Sequence, residues 1–382
     1  MTNRAIFAMA AALLALTGLP GAVRAGQWDA GDLARLRHWV AMAPQDALEA
    51  PGTDALDRAE AAGDPVALAE AADALALRLA RLHLLGGAME SERAGWRIED
   101  TDTAIALEEL LESSLAVDTL DAFFVSLRPR HPDYARLREA LAAETDAARR
   151  RTLARNMERW RWMPRDLGRD YLLVNAALFE AQLWRGGAKA GTWRVIVGKT
   201  STPTPVFAAE VTGVNLNPWW NVPASIVRES VGALVRNNPA AARARGYVWD
   251  GGRIRQKPGP SNALGQMKLV MPNPYSVFMH DTPNKELFAR ELRAFSHGCI
   301  RTGDAIGFAK TLLEGVKSGE EVDAILATNE STVVDIARPM PIYIAYFTAG
   351  VNGAGELVVA DDIYGRDGRI RLASREPDYC AG

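Results

Sequence analysis

The sequence predicts an α+β protein with an N-terminal α-helical domain followed by a β-sandwich-like domain. Apolar residues recur at helical spacing as far as about Arg155, whereas short runs rich in Val, Ile, Trp and Tyr follow from Asp170. With 382 residues, 48% of them hydrophobic and 24% charged, the chain is long enough for two domains. Its formal net charge of -3 gives no indication of a nucleic-acid partner.

The first 25 residues have the pattern of a secretory signal. Arg4 supplies a positive charge, an apolar run follows from Ala5 to Leu16, and small residues surround the expected cleavage point after Ala25. The alternative is an N-terminal core helix. No later apolar run approaches the ~20 residues of a membrane span, and no cysteine lies near the cleavage point to carry a lipid. We therefore expect an exported, soluble mature chain without a membrane span.

Residues 26–155 are predicted to be helical and to act as a scaffold. Asp64 and Pro65 begin a helix that ends at Gly86, and further helices are expected around Leu107–Leu115 and after Pro132. No catalytic constellation occurs in this region. Its three histidines are predicted to be surface or packing residues: His38, His83 and His131.

From Asp170 onward the pattern predicts strands. They are expected at 171–175, 179–184, 193–198, 211–216, 267–271, 275–280 and 342–347. In the 275–280 run, Ser276, Phe278 and His280 would share one face, and His280 would project from the strand end. Residues 221–265 are too long for a plain connection and predict an insertion that caps a cleft, with a helix within 230–244.

The stretch from Met279 to Arg301 carries the candidate chemistry. It holds Cys299, with His297 two residues before it and His280 nineteen residues before it. An imidazole that removes the thiol proton creates a nucleophile near neutral pH. Gly298 permits a close backbone approach, so that its N–H and that of Cys299 would face an oxyanion. A helix capped at Thr302 or Asp304 would place Cys299 just ahead of a helix N-terminus, which favours thiolate. The pattern predicts cysteine acyl transfer.

Cys299 has three alternative roles. It is a small buried hydrophobe in the simplest alternative. It would be a zinc ligand together with His280 and His297, but no fourth ligand lies nearby. It would be lost as a nucleophile in a disulfide with Cys380, which lies in a polar tail and is predicted to be a frayed surface thiol. We expect no metal and no cofactor.

His280, fifteen intervening residues and the run Ser296-His297-Gly298-Cys299-Ile300-Arg301 resemble the signature of the L,D-transpeptidase (YkuD-type) catalytic domain. Further segments resemble the large periplasmic branch of that family: 156–162, 195–199, 217–223 and 258–265. The resemblance covers about 156–367 and is weaker upstream. It implies a helical scaffold domain at 26–155, a catalytic domain at 156–370 with a capping insertion at about 221–265, and a tail at 371–382. The peptidoglycan-binding module of larger members is not expected, because only about twenty residues separate Leu141 from Arg159.

The resemblance also implies roles for individual residues. His280 would be the general base toward Cys299, which would attack the meso-diaminopimelate carbonyl of a tetrapeptide stem and expel D-Ala. The thioester would then pass to a second stem and form a 3→3 cross-link in the periplasmic cell wall, which maintains cell shape. Gly298 and Cys299 would hold the oxyanion, and His297 would donate a hydrogen bond or order the loop.

The remaining candidates concern binding. Arg301 would position the loop or a substrate carboxylate, with a buried ion pair as the alternative. Ser296 is a substrate-binding candidate expected to make a local hydrogen bond. Trp219 and Trp220 would line a substrate groove or belong to the core. A backbone carbonyl or the Asp281 carboxylate would orient His280.

Three rival functions stay open in the sequence. An L,D-carboxypeptidase would use water as the acceptor with the same nucleophile. A papain-like amidase would place Cys before His, whereas His280 precedes Cys299 here. A wall-binding scaffold without activity would be expected to lack the Cys or a His of the motif, and both are present.

Overall fold

The structure is a computed structural model that describes residues 28–372. The predicted signal segment, Met1–Ala25, and Cys380 lie outside the described residues. The described chain begins with helices and continues with a strand-rich region, as expected for the predicted α+β class. Among residues 28–372, no helix combines the length and the apolar character that a membrane crossing requires.

Seven α-helices make up the N-terminal region: α1 (Ala30–Met42), α2 (Asp54–Ala62), α3 (Pro65–Leu85), α4 (Leu107–Ala116), α5 (Leu120–Ser126), α6 (Pro132–Ala143) and α7 (Ala147–Trp160). The longest, α3, has the predicted ends. The Asp64 carboxylate accepts the N–H groups of Val66 and Ala67, and Gly86 ends the helix with a φ of 80°. The apolar faces of these helices form their own core.

The indole of Trp160, at the end of α7, is buried between this region and the strands. Its ring stacks on His131 with centroids 4.3 Å apart and on Phe347 with centroids 4.5 Å apart. Trp162 is likewise buried. Both tryptophans of the 156–162 segment therefore pack, and His83 and His131 are buried packing residues as well.

Fifteen strands are described: β1 (Trp96–Arg97), β2 (Tyr171–Asn175), β3 (Glu180–Arg185), β4 (Ala188–Gly198), β5 (Val206–Leu216), β6 (Trp220–Asn221), β7 (Tyr247–Asp250), β8 (Arg253–Gln256), β9 (Met267–Val270), β10 (Met279–His280), β11 (Ala294–Ser296), β12 (Ile300–Thr302), β13 (Thr332–Ala345), β14 (Ala349–Val351) and β15 (Leu357–Val359). The main sheet has the order β1-β5-β13-β2-β3-β4-β12-β10-β9, with β11 beside β4. Because β5 also pairs with β9, eight strands close into a ring around a common core. The sheet is mixed, since β13 with β2 and β10 with β12 are parallel.

Five further α-helices belong to the strand-rich region: α8 (Ala224–Ile226), α9 (Gly232–Asn237), α10 (Pro239–Ala244), α11 (Ala305–Leu312) and α12 (Gly319–Ala327). The first three lie in the predicted insertion, where a π-helical turn at Val227–Val231 joins α8 to α9. The same insertion holds a small sheet in which β8 lies between β6 and β7. The insertion is thus a folded unit of helices and strands beside the main sheet.

The predicted strand at 275–280 is wrong except for its last two residues. The Asn273 side chain folds the preceding segment into a turn, because its Oδ1 accepts the N–H groups of Tyr275 and Val277 while its Nδ2 donates to Met271 and Val277 carbonyls. Ser276 has a positive φ of 54°, which no strand residue adopts. Ser276, Phe278 and His280 therefore do not share a strand face.

Candidate active site

Three adjacent strands align a row of basic side chains. His280 on β10 pairs directly with Lys268 on β9 and with Arg301 on β12. Residues directly opposite one another on neighbouring strands project from the same face. Lys268, His280 and Arg301 thus lie side by side, and Cys299 immediately precedes β12. Lys268 was not among the sequence candidates, although a lysine inside the apolar run Met267–Met271 is an unusual strand residue that signals a special position.

The turn that carries Cys299 is held by the Ser296 hydroxyl. Ser296 is buried, its Oγ donates to the Cys299 carbonyl at 2.5 Å, and the same Oγ accepts the Gly298 N–H at 3.1 Å. Thr204, which is distant in sequence, also stabilises the turn, since its Oγ1 donates to the Gly298 carbonyl at 2.9 Å. Gly298 has a φ of 108°, a conformation that only glycine adopts at low cost.

These contacts change two expectations. The hydroxyl of Ser296 serves the turn itself, in agreement with the expected local hydrogen bond, and it is not directed to a substrate group. The Gly298 N–H is engaged with Ser296 Oγ, so in this conformation it is not free to hold an oxyanion. The oxyanion role expected for Gly298 would therefore require this hydrogen bond to open, and it stays a prediction.

The sulfur of Cys299 is half-buried beside the turn at 271–278. Its Sγ lies 3.9 Å from the carbonyl oxygen of Ser276. Burial raises the pKa of the Cys299 thiol, and a hydrogen bond with the Phe278 backbone together with the charges of Lys268 and Arg301 oppose that rise. The thiol is therefore protonated at neutral pH, so that a base must remove its proton.

His280 has the protonation state that a base requires. Its Nδ1 lies 2.5 Å from the backbone carbonyl oxygen of Asp281. A carbonyl only accepts, so Nδ1 carries the proton and Nε2 keeps its lone pair. Burial lowers the pKa of His280 to about 4 despite the opposing hydrogen bond. The ring is thus a neutral acceptor at neutral pH.

The Asp281 carboxylate is used elsewhere, which decides between the two partners considered for His280. It accepts the Gln266 N–H at 2.9 Å and pairs with Lys285. Gly265 lies directly against this carboxylate, where a Cβ atom at residue 265 would overlap Asp281, and Gly265 has a φ of 61°. Asp281 therefore acts on His280 through its backbone, and its side chain fixes that backbone in place.

The helix that follows Cys299 begins later than expected. Strand β12 intervenes, and α11 starts at Ala305 with Asp304 as its cap, whose side chain accepts the Gly307 N–H. Asp304 is one of the two caps predicted. The expectation that Cys299 lies just ahead of a helix N-terminus is wrong, because hydrogen bonds of β12 to β4 and β10 extend the chain away from the turn first.

His297 joins the cysteine turn to the insertion. Its imidazole is partly exposed, and its Nε2 lies 2.8 Å from Oε2 of Glu229 in the π-helical turn. Lys199 lies 3.9 Å from the same carboxylate. The insertion therefore contacts the turn that presents Cys299.

Trp219 and Trp220 are half-buried and make their ring contacts within the insertion. The guanidinium carbon of Arg255 lies 4.4 Å from the centre of the Trp219 ring. The ring centroids of Trp220 and Tyr247 are 6.4 Å apart. Trp220 thus belongs to β6 of the small sheet and Trp219 immediately precedes it, whereas Lys268 and Arg301 lie close enough to Cys299 to influence the pKa of its thiol. Over residues 28–372, no three His, Cys, Asp or Glu side chains are grouped as metal ligands.

Comparison with known proteins gives two family matches. Residues 169–333 match the L,D-transpeptidase catalytic domain named YkuD, and residues 27–141 match the Scaffold domain. A Haemophilus influenzae protein named "Putative L,D-transpeptidase" is 32% identical over 246 residues, which are 58% of this chain and 49% of that protein. The chain thus spans about half the length of this curated relative.

Solved structures of L,D-transpeptidases overlap parts of the chain. L,D-transpeptidase 3 from Mycobacterium tuberculosis is 15% identical, with 46% of this chain and 61% of that chain covered and a TM-score of 0.26. An L,D-transpeptidase from Mycobacterium smegmatis is 12% identical, with 46% and 58% covered and a TM-score of 0.25. The similarities that bear on this chain are the two domain matches and the Haemophilus influenzae relative.

Proposed function

We propose that this chain, whose residues 169–333 match the YkuD L,D-transpeptidase catalytic domain, forms 3→3 cross-links in peptidoglycan by cysteine acyl transfer. The observation that carries the proposal is the orientation of His280. The Asp281 carbonyl holds Nδ1, and Nε2 remains a neutral base on the strand that pairs beside the Cys299 turn. A protonated, half-buried thiol next to such a base has the arrangement of an activated nucleophile.

The first half-reaction acylates the enzyme. His280 Nε2 takes the Sγ proton as the sulfur bonds to the meso-diaminopimelate carbonyl carbon of a tetrapeptide stem, and the carbonyl oxygen becomes an oxyanion. The oxyanion collapses, the C–N bond to D-Ala breaks, and His280 returns the proton to the leaving amine. We assign the Cys299 N–H to the oxyanion, since the Gly298 N–H is engaged with Ser296.

The second half-reaction passes the acyl group to a second stem. The side-chain amine of the acceptor attacks the thioester carbon, a new amide C–N bond forms, and the C–S bond breaks. Cys299 recovers a proton from the amine by way of His280. The predicted signal at Met1–Ala25 supports a periplasmic location, where peptidoglycan stems are both donors and acceptors for this role in cell-wall organisation.

The test is intact-protein mass spectrometry of the purified enzyme with a disaccharide-tetrapeptide, in parallel with Cys299→Ala. We expect a transient adduct with the mass of the stem less D-Ala on the wild type and none on the variant. The soluble products then report the acceptor. A dimer linked between two diaminopimelate residues supports transpeptidation, a tripeptide product alone would replace it with carboxypeptidase activity, and no adduct with no D-Ala release would refute both.

A further inference from the structure

Two half-buried cations beside Cys299 have no anionic partner in the described chain. Within residues 28–372, the side chains of Lys268 and Arg301 form no salt bridge and donate no hydrogen bond. Other half-buried basic side chains of the domain do have partners: Arg185 pairs with Glu314 and Lys310 with Asp323, and Arg293 and Arg366 donate hydrogen bonds to backbone carbonyls. The two unpaired cations are therefore exceptional in their surroundings.

The strand register places Lys268 and Arg301 on either side of His280. Both pair directly with His280, from strands on opposite sides of β10, so the two charged side chains flank the imidazole on one face. The Lys268 ammonium lies 3.7 Å from the centre of the Phe278 ring, and the backbone of Phe278 contacts the Cys299 sulfur. The Phe278 ring thus supports the ammonium close to the reacting atom.

The electrostatics agree with that placement. Burial lowers the pKa of Lys268 and of Arg301, and the one ionisable group that opposes this in either case is Cys299. A desolvated cation without a counterion costs free energy, unless a ligand supplies the missing negative charge. Cys299 is protonated in the resting enzyme, so that the missing charge is not supplied by the protein.

We propose that Lys268 and Arg301 together form a carboxylate-binding subsite beside Cys299, in which Lys268 is a specificity-determining residue for an anionic donor stem. The ammonium acts as a point charge and the guanidinium as a bidentate donor. This subsite deepens the proposed function and rests on it for the identity of the natural ligand. Its existence as an anion site beside the thiol does not depend on that function.

Two carboxylates of a donor tetrapeptide have the required chemistry. One is the terminal carboxylate of the leaving D-Ala, and the other is the free carboxylate at the far end of the diaminopimelate side chain. Both are anionic, planar groups within one residue of the scissile bond. The first experiment tests the shared chemistry, and the second distinguishes the two sources.

The first experiment compares alkylation of Cys299 by iodoacetate and by iodoacetamide at a fixed pH. The two reagents attack the same thiolate and differ in the charge next to the reactive carbon, so the ratio of their rates cancels any change in thiol pKa. We expect Lys268→Met to lower the iodoacetate-to-iodoacetamide ratio by about fivefold, an effect of one nearby charge at intermediate dielectric, and Lys268→Arg to retain it. A Cys380→Ser background, with peptide mapping of the product, restricts the signal to Cys299.

Lys317→Met is the matched control, because Lys317 pairs with Glu321 on α12. It should leave the ratio unchanged. Met retains the aliphatic stem of Lys268, and thermal melting verifies that both variants fold. An unchanged ratio in folded Lys268→Met would overturn the subsite, whatever the enzyme does to peptidoglycan.

The second experiment measures D-Ala or D-alaninamide release from three stems: the free acid, the terminal amide and the stem amidated on the diaminopimelate side chain. We expect one of the two amidated stems to have a KM about tenfold higher than the free acid in the wild type, equivalent to the loss of one charged contact. In Lys268→Met, the same amidation should change KM little. The ligand of the subsite is the carboxylate whose amidation raises KM in the wild type but not in Lys268→Met. If every stem is released alike by both proteins, the natural-ligand assignment is wrong. If no stem is turned over while the alkylation ratio responds, the proposed function fails and the anion subsite stands.

Discussion

The Nδ1 atom of His280 lies 2.5 Å from the backbone carbonyl oxygen of its own neighbour, Asp281. This contact fixes the tautomer of a buried imidazole whose pKa burial lowers to about 4. The partner is a carbonyl, which cannot take the proton, so that the ring stays neutral and retains one acceptor nitrogen. Cys299 and His280 therefore rest as a neutral thiol and a neutral imidazole.

The first prediction concerns the pH dependence of Cys299 alkylation. A raised thiol pKa together with an imidazole pKa of about 4 means that thiolate accumulates only at alkaline pH. The iodoacetamide rate should therefore rise steadily above neutral pH and show no plateau between pH 5 and about 7. A plateau in that range would indicate a preformed thiolate–imidazolium pair and contradict the neutral resting state.

The second prediction concerns the contact between Gly265 and Asp281. A Cβ at residue 265 overlaps the Asp281 carboxylate, so Gly265→Ala should displace the backbone that holds His280. We expect a loss of about 2 kcal/mol in the free energy of unfolding and a fall in D-Ala release. Gly251→Ala is the control, because Gly251 has a similar φ of 56° and open space around it. Equal effects in urea unfolding of both variants would mean that backbone strain alone is responsible.

The third prediction concerns the Ser296 hydroxyl, which joins the Gly298 N–H to the Cys299 carbonyl. Ser296→Ala removes both hydrogen bonds from a buried turn, and it should lower kcat for D-Ala release about tenfold with a smaller change in KM. Ser201→Ala, at an exposed serine, should have no effect. A rise in KM alone would return Ser296 to the role of a substrate-binding residue.

The fourth prediction concerns acid stability and the buried ring of His83. Burial lowers the pKa of His83 to about 3 from 6.5, so below pH 6.5 the unfolded chain binds a proton that the folded chain does not. Stability therefore falls as the pH decreases through this window. His83→Phe removes this contribution. The substitution keeps an aromatic ring in an aromatic environment, since the His83 imidazole lies 5.8 Å from Trp39 and 6.2 Å from Phe124 between ring centroids.

Thermal melts between pH 6.5 and 4 test this prediction. As the pH falls, the melting temperature of His83→Phe should decrease less than that of the wild type. The melting temperature of His38→Phe, at an exposed histidine, should decrease as much as that of the wild type. Parallel curves for wild type and His83→Phe would show that other groups control acid unfolding. His131 and His280, whose pKa values are also lowered, contribute to the slope that remains, together with carboxyl groups of lowered pKa such as Asp46.

The sequence predicted the ends of helices and strands correctly where interactions between neighbouring residues set them. The cap at Asp64 and the stop at Gly86 predicted α3, and the apolar runs predicted β2, β3 and β9 near their observed ends. The turn at 271–278 was mistaken for a strand, because alternation of apolar residues does not reveal the four hydrogen bonds of the Asn273 side chain. Strand lengths were underestimated for β5 and β13, which pair with each other over most of their length.

The sequence by itself predicted the candidate nucleophile and the candidate base, because the spacing of His280, Ser296 and Cys299 is a property of the chain. It also determined the α+β class, since helical and strand periodicities occupy separate regions. Only the tertiary structure decided that the Asp281 carbonyl orients His280, that Ser296 occupies the Gly298 N–H, and that Lys268 stands beside His280 opposite Arg301. These relationships depend on strand register and on hydrogen-bond direction, which follow from how distant segments pack rather than from the order of residues.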